Sequence, residues 1–332
     1  MPSQNRKLVT VLVALPLVIT FILWAFAWPA ARTAPHDLPI GVAGPAEATA
    51  PVAAALQARD GAFDVRTYPD AASALTAIEQ RDVYGALVPG PDGAELLTAS
   101  AASASVAQLL EQLAAQALPE GAALTVTDVV PAPAADPRGA VFGASVLPMA
   151  MAGIALGALV TLLRLRGRYA LAALGGASVL VGAAGALIGH SWLGAMAGDW
   201  WTVAGALALM ALAGGAAVAA LAALLGPRGI GLGAVLLMML GNPWSGATSA
   251  PEMLPFPVGT LGQLLPTGAG STLLRGVSFF DGAGSAFPLA VLVCWAVAGL
   301  VTVAVVHHRR PVPARPAGGP PAAPATAVAA RT

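Results

Sequence analysis

Charge is what this chain has least of. Asp, Glu, Lys and Arg together make up 10% of its 332 residues, and 16 basic residues balance 16 acidic ones. A chain without net positive field has no footprint for nucleic acid. Lysine is nearly missing: Lys7, close to the N-terminus, stands alone. A P-loop needs a lysine on the β and γ phosphates, so the chain is not its own ATP-driven motor. Cysteine is down to Cys294, which excludes an intrachain disulfide and reads as a small packing residue.

Histidine is also sparse. His36, His190, His307 and His308 belong to separate segments, which gives no converging ligand set for a metal. The His307-His308-Arg309-Arg310 run reads instead as an interfacial cationic anchor. Beyond position 141 the acids are Asp199, Glu252 and Asp281, none of them inside an apolar run. Proton or sodium coupling leaves a carboxylate at membrane depth, so an ion-driven antiporter is disfavoured. There is no G-x-S-x-G elbow, and Ser100 to Ser105 reads as a helix start. The chain is therefore expected to be no enzyme, with no catalytic, cofactor-binding or metal site.

What is present is apolar surface. Hydrophobic residues make up 57% of the sequence, more than a soluble chain of this length hides in a core, and the bilayer is the partner that accepts it. Six runs have the length or composition of membrane spans: 8–28, 141–163, 169–189, 202–225, 229–242 and 287–306. The expected fold is a polytopic α-helical membrane protein with six transmembrane helices. A signal-peptide reading of the first run is weighed against its length, which suits a retained span better than a short signal core. Pro16 within it predicts a kink.

Arginine gives the orientation. Arg6 and Lys7, then Arg164, Arg166 and Arg168, then Arg228, then Arg309 and Arg310 all fall at one side of a six-span layout. Positive residues resist translocation. Both termini are then cytoplasmic in a multi-pass plasma-membrane protein, and the segment after the first span, the 192–201 turn and 242–285 lie outside. Trp24, Trp28, Trp192, Trp200, Trp201 and Trp244 fall near the outer ends, as interfacial rings do.

Between spans one and two the pattern changes to short apolar strands alternating with amphipathic helices. Strands are expected at 38–42, 63–68, 83–88, 95–99 and 124–126. Helices are expected at 47–59, from the Asp70 cap to Gln80, and after a Ser103 or Ser105 cap. The cluster Pro89-Gly90-Pro91-Asp92-Gly93 predicts a hairpin turn. The division is a cytoplasmic N-terminus at 1–7, the first span at 8–28 and an inserted extracytoplasmic α/β domain at 29–140. A five-helix transmembrane domain at 141–306 follows, then a disordered cytoplasmic tail at 307–332, whose proline, alanine and glycine cannot bury enough surface to fold.

Two groups of residues stand out as candidate sites. Gly153 and Gly157, and Gly185 and Gly189, form small faces that let helices approach, within one bundle, at a dimer seam or along a translocation lining. The segment 242–285 is apolar yet repeatedly broken. Asn242, Pro243, Ser245, Gly246, Pro251, Pro255, Pro266 and Arg275 mark it as a candidate gate or pathway of short re-entrant helices, with Arg275 at headgroup level. A plain external cap is the competing reading.

That broken segment, through Gly241-Asn242-Pro243-Trp244-Ser245-Gly246, Pro251-Glu252-Met253-Leu254-Pro255 and Leu264-Leu265-Pro266-Thr267-Gly268, resembles the region between the fifth and sixth spans of type 2 ABC exporter permeases. It is most similar to their phage-infection-protein (YhgE/Pip) relatives. The order of one span, a large external domain and five spans is similar, as are Val83-Tyr84-Gly85-Ala86-Leu87-Val88-Pro89 and Asp136-Pro137-Arg138-Gly139. The resemblance implies a membrane subunit that forms a homodimer or hetero-oligomer and exports a hydrophobic or amphipathic substrate, powered by a separate ATP-binding subunit. Such permeases meet that subunit through an N-terminal elbow helix and a coupling helix between spans two and three. Here the first is about seven residues and the second is the Arg164-Leu165-Arg166-Gly167-Arg168 turn, too short for a helix. The departure favours an alternative, an accessory protein of a secretion system or a phage-receptor-like protein acting through its external domain.

Overall fold

In a computed structural model that describes residues 4–91, 93–119 and 121–309, the chain builds a helical bundle joined to a small mixed sheet. Of the expected disordered tail at 307–332, residues 307–309 instead continue the last helix, and the remainder, like the turn residue Asp92, lies outside the described residues.

Helix α1 (Gln4–Ala31) runs on through Pro16 and is exposed along nearly all its length. The sheet follows, from β1 (Leu38–Ala43), β2 (Phe63–Tyr68), β3 (Gly85–Gly90), β4 (Gly93–Thr98) and β5 (Ala123–Asp128), in the spatial order β2-β1-β3-β4-β5. β1 is parallel to β2, with Leu38 opposite Phe63, and parallel to β3. β3 and β4 form an antiparallel hairpin, and β5 lies parallel to β4. Helices supply the crossovers that parallel pairing demands: α2 (Ala46–Gln57), α3 (Ala71–Glu79) and α4 (Ala104–Ala117). Asp70 and Ser103 cap α3 and α4 by accepting the Ser73 and Val106 backbone N–H groups at 2.8 and 3.3 Å.

Strand alternation divides the core. Leu38, Ile40 and Leu96 face α2 and α4, where they pack with Val106 and Leu110; Ala43, Ala86 and Leu97 face α3 and its Ala74 and Ile78.

The bundle is α5 (Ala140–Leu162), α6 (Arg168–Ala186, continued as a π turn over Leu187–Trp192), α7 (Trp200–Leu225), α8 (Arg228–Ala234, continued as a π turn over Val235–Gly241), a 3₁₀ turn at Pro251–Met253, α9 (Val258–Gln263), α10 (Pro266–Phe279) and α11 (Ala286–Arg309). α7 is its axis, buried along most of its length and packed against α5, α6, α8, α10 and α11.

Among the described residues, α1, α5, α6 with its π turn, α7 and α11 are long and apolar enough to cross a membrane, by length and composition. The sixth expected span is different. Arg228–Gly241 is an apolar helix of 14 residues, short of the roughly 20 that a crossing needs. Gly229, Gly231 and Gly233 weaken its first half, and Gly241-Asn242-Pro243 ends it.

Candidate functional site

α5 and α7 run parallel, because Gly153 packs against Gly214 and Gly157 against Gly215 and Val218. α11 is parallel to both: Gly299 meets Ala216, and Val303 shares a cluster with Val160 and Ala219. The chain must therefore travel from the end of α7 back to the level of its start before α11 begins, and residues 228–285 make that return.

The return is broken into pieces. The π turn brings Leu237 against Gly214, and Gly241 against Thr267 at the start of α10. The chain then rises to the 3₁₀ turn, where Glu252 and Met253 carbonyls accept the backbone N–H groups of His36 and Ala34, at 2.8 and 3.0 Å. α9 descends and α10 climbs again. Gly270 of α10 packs on Met210, about 15 Å along α7 from Trp200 at 1.5 Å per residue, and Val277 meets Gly198 just before α7 starts. α9 and α10 thus form a hairpin inserted beside the axial helix.

Polar atoms hold the hairpin together. The Ser245 carbonyl accepts from Gln263 Nε2 at 2.9 Å and from Ser271 Oγ at 3.4 Å, while Ser245 Oγ donates to the Asn242 carbonyl at 2.7 Å. Thr272 Oγ1 donates to Gln263 Oε1 at 2.6 Å, and Trp295 Nε1 of α11 donates to the Leu264 carbonyl at 2.8 Å. Non-helical backbone inside an apolar bundle needs such internal partners. Gly262 and Gly246 allow the approach: a Cβ on Gly262 would collide with the Trp244 carbonyl, and Gly246 sits at φ +67° against Pro251.

The outer end of the hairpin is clamped to the sheet. Tyr84, placed at the head of β3 by its N–H bond to the Pro39 carbonyl (3.0 Å), donates its hydroxyl to Glu252 Oε2 at 2.8 Å. Arg81, in the left-handed region (φ +63°) just past α3, donates to the Thr272 carbonyl at 3.2 Å and lies over the Phe280 ring at 5.3 Å. Arg275, 5% exposed, donates to the Ala247 carbonyl at 2.7 Å and lies over Phe142 at 4.8 Å. Asp136 caps α5 by accepting the Phe142 N–H at 2.9 Å, and with Arg275 it lines a pocket of about 20 Å³, room for about one water. Apolar contact completes the clamp. Phe280 packs with Ala74 and Ile78 on one face of the sheet, and Ala250 and Met253 pack with Leu38 and Leu110 on the other.

The electrostatics are those of a buried junction. Burial pushes the Arg275 guanidinium down to about 10, which leaves it charged at neutral pH, and lowers Arg81 as well. Burial raises the Tyr84 phenol, and the Glu252 charge raises it further, so Tyr84 stays a donor. No ion pair closes on Glu252; among the described residues the one salt bridge is Arg66–Asp64, on an exposed strand. Glu252 instead takes a hydrogen bond from Tyr84 and longer-range attraction from the two arginines.

Asn242, Ser245 and Gly246 thus meet in the polar knot, Pro251 opens the 3₁₀ turn, Pro255 is buried, Pro266 starts α10 and Pro243 lies in the turn after the π segment. Arg275, expected at headgroup level, is buried between Ala247, Phe142 and the small pocket it shares with Ser100 and Ser103. Gly153 and Gly157 face α7, Gly185 faces Leu207 and Gly189 faces Met196, all within the chain. Arg81, Tyr84, Glu252, Asp136 and Gln263 were not among the candidate site residues, although Tyr84, Glu252 and Asp136 lie in the segments that carry the family resemblance. The available signal was polarity in an apolar segment: Glu252, Gln263 and Arg275 are rare ionisable or amide groups between 242 and 280. Among the described residues no group of three or more His, Cys, Asp or Glu stands together as a metal site. Comparison with protein-family models, with curated proteins and with solved structures found no match for this chain.

Proposed function

We propose that the chain is the membrane subunit of an ATP-driven exporter for a hydrophobic or amphipathic substrate, without an ATPase of its own, set in the plasma membrane with both termini in the cytoplasm. The observation that carries this reading is the α9–α10 hairpin. It enters the bundle beside α7, carries a polar, glycine-rich core, and is gripped at its outer end by the sheet through Tyr84–Glu252 and Arg81–Thr272. Irregular backbone at membrane depth persists where it is covered by protein or lines a passage. A hairpin gripped from outside is an element whose position the sheet can bias, which is what a gate requires. Energy would come from a partner, since the sole lysine precludes a P-loop.

A second reading has its own observation. Between α5 and α6 the chain leaves only the turn 163–167, with no helix on which an ATPase could push. This favours an accessory role in secretion or phage reception, with the sheet unit as the working part. Purification of the tagged protein in mild detergent separates the two. A co-purifying ATP-binding subunit with vanadate-sensitive turnover, and export lost in Ser245→Leu at normal protein level, supports the exporter. Absence of any ATPase, with export unchanged in Ser245→Leu, removes it.

A further inference from the structure

A cleft opens between α2 and α4 over the sheet face they share. Its volume is about 350 Å³, more than twice the roughly 150 Å³ apolar cavity that stays dry and takes benzene, and near the lower end of the roughly 300–1,000 Å³ range of ligand pockets. The floor is Ile40 of β1, Leu87 of β3 and Leu96 of β4; the walls are Leu56 of α2 with Leu110 and Leu113 of α4. The gap exists because the helices offer small side chains where they approach, Ala55 on one and Ala114 and Ala117 on the other. Interiors otherwise pack to crystal density.

The lining is Gly, Ala, Pro, Val, Leu and Ile throughout, with one exception: Arg59, just past the end of α2. It is exposed, forms no ion pair among the described residues, and no carboxylate lines the cleft beside it. An apolar slot with one cation at its rim is complementary to one class of molecule. We propose that this cleft binds a single-chain amphiphile with an anionic head, the alkyl chain lying between α2 and α4 and the carboxylate or phosphate at Arg59. The volume suits one chain and not a two-chain lipid. The proposal goes beyond the export reading and does not depend on it.

The full chain in phosphatidylcholine nanodiscs would be incubated with palmitate carrying a diazirine near its methyl end, irradiated, and the labelled peptides mapped. Labelling of Val52–Leu56 and Leu110–Leu113, competed by free palmitate and lost by at least tenfold in both Ala55→Trp and Ala117→Trp, supports the site. Both positions are exposed at the cleft, so filling it leaves the core intact, and an unchanged melting temperature verifies this. Arg59→Gln should weaken palmitate by about threefold, the scale of an exposed charge pair, and leave hexadecanol unaffected. Competition by a lysophosphatidate as strong as by palmitate assigns the shared chemistry, one chain with an anion; weaker competition assigns the carboxylate. Label confined to the membrane helices, or unchanged in both tryptophan variants, overturns the proposal. Equal binding of hexadecanol and palmitate with no effect of Arg59→Gln overturns the anionic head. Because no transport is measured, a failure of export leaves the binding result standing, and the two conclusions stand or fall separately.

Discussion

Tyr84 and Glu252 are separated by 168 positions in sequence and by one hydrogen bond of 2.8 Å in space. Tyr84→Phe removes the donor and leaves a half-buried carboxylate short of a partner, a loss of about 1–3 kcal/mol. Glu252→Gln keeps an acceptor and should cost less. Thermal unfolding of the two single variants and the double variant gives the coupling directly; strict additivity would mean that the bond contributes nothing. Arg275 is the harsher case. Its guanidinium is both donor to the Ala247 carbonyl and cation over Phe142, and Lys cannot reproduce a planar fork stacked on a ring. Arg275→Lys should therefore destabilise nearly as much as Arg275→Met, about 2 kcal/mol or more by analogy with removal of a buried charged donor. A melting temperature unchanged in Arg275→Lys would show that charge alone matters. None of this pairing was legible in the sequence. Arg275 is a lone cation in an apolar segment, and burial under a distant sheet leaves no mark on residues nearby in the chain.

At the scale of elements, the sequence was far more informative. The apolar runs at 141–163, 202–225 and 287–306 fall on α5, α7 and α11, and the period-two and helical patterns between 38 and 128 fall on the five strands and three helices, because each buries one face against the same sheet. β3 begins at Gly85 and not at Val83, although the Tyr84 backbone N–H still bonds the Pro39 carbonyl of β1 at 3.0 Å. The broken return at 228–285 is flagged by its prolines and glycines, while its partners lie far off in sequence on α1, α3, α4, α5, α7, α11 and the sheet. Glycine spacing gave close approach without naming the neighbour. The structure names it, and two substitutions to alanine should then part company. On Gly157 the new Cβ would stand 2.6 Å from the Gly215 carbonyl oxygen and 2.9 Å from the Ala219 nitrogen, backbone atoms that cannot swing away. Gly157→Ala should cost about 1–3 kcal/mol as overpacking. Gly205, also in a helix, has nothing within 4 Å of a Cβ, and Gly205→Ala should gain about 0.5–1 kcal/mol of helix propensity. Thermal melts in one detergent check both; equal shifts would refute the packing account.

For the whole molecule the decisive property is how many times the chain crosses. Five helices can cross unaided, and five crossings would leave the termini on opposite sides. Yet α5, α7 and α11 are parallel, which is possible only if 228–285 carries the chain back through the bundle. The short helix and its π turn provide the first half of that passage, the irregular 242–250 provides the second, and α9–α10 dips in and out without changing sides. With that return counted as a crossing, the odd number of long helices becomes compatible with the proposed orientation, both termini on one face. Tryptophans gather at the sheet end, with Trp28, Trp24 and Trp244 in a row at 5.5 and 6.4 Å and Trp200 against Trp201 at 4.7 Å. Arg164, Arg166 and Arg168 sit at the other end, past the close of α5. In the proposed orientation, the positive-inside rule puts the sheet outside. Single cysteines in a Cys294→Ser background test this. Cysteine at Asp281 or Ser249 should react with a membrane-impermeant maleimide on intact cells, whereas cysteine at Arg166 or Arg228 should react only after permeabilisation. If Asp281 falls on the same side as Arg166 and Arg228, the return does not cross as described and the parallel α7 and α11 would need another route. If both react from outside, the orientation is inverted, and the sheet with its cleft would face the cytoplasm.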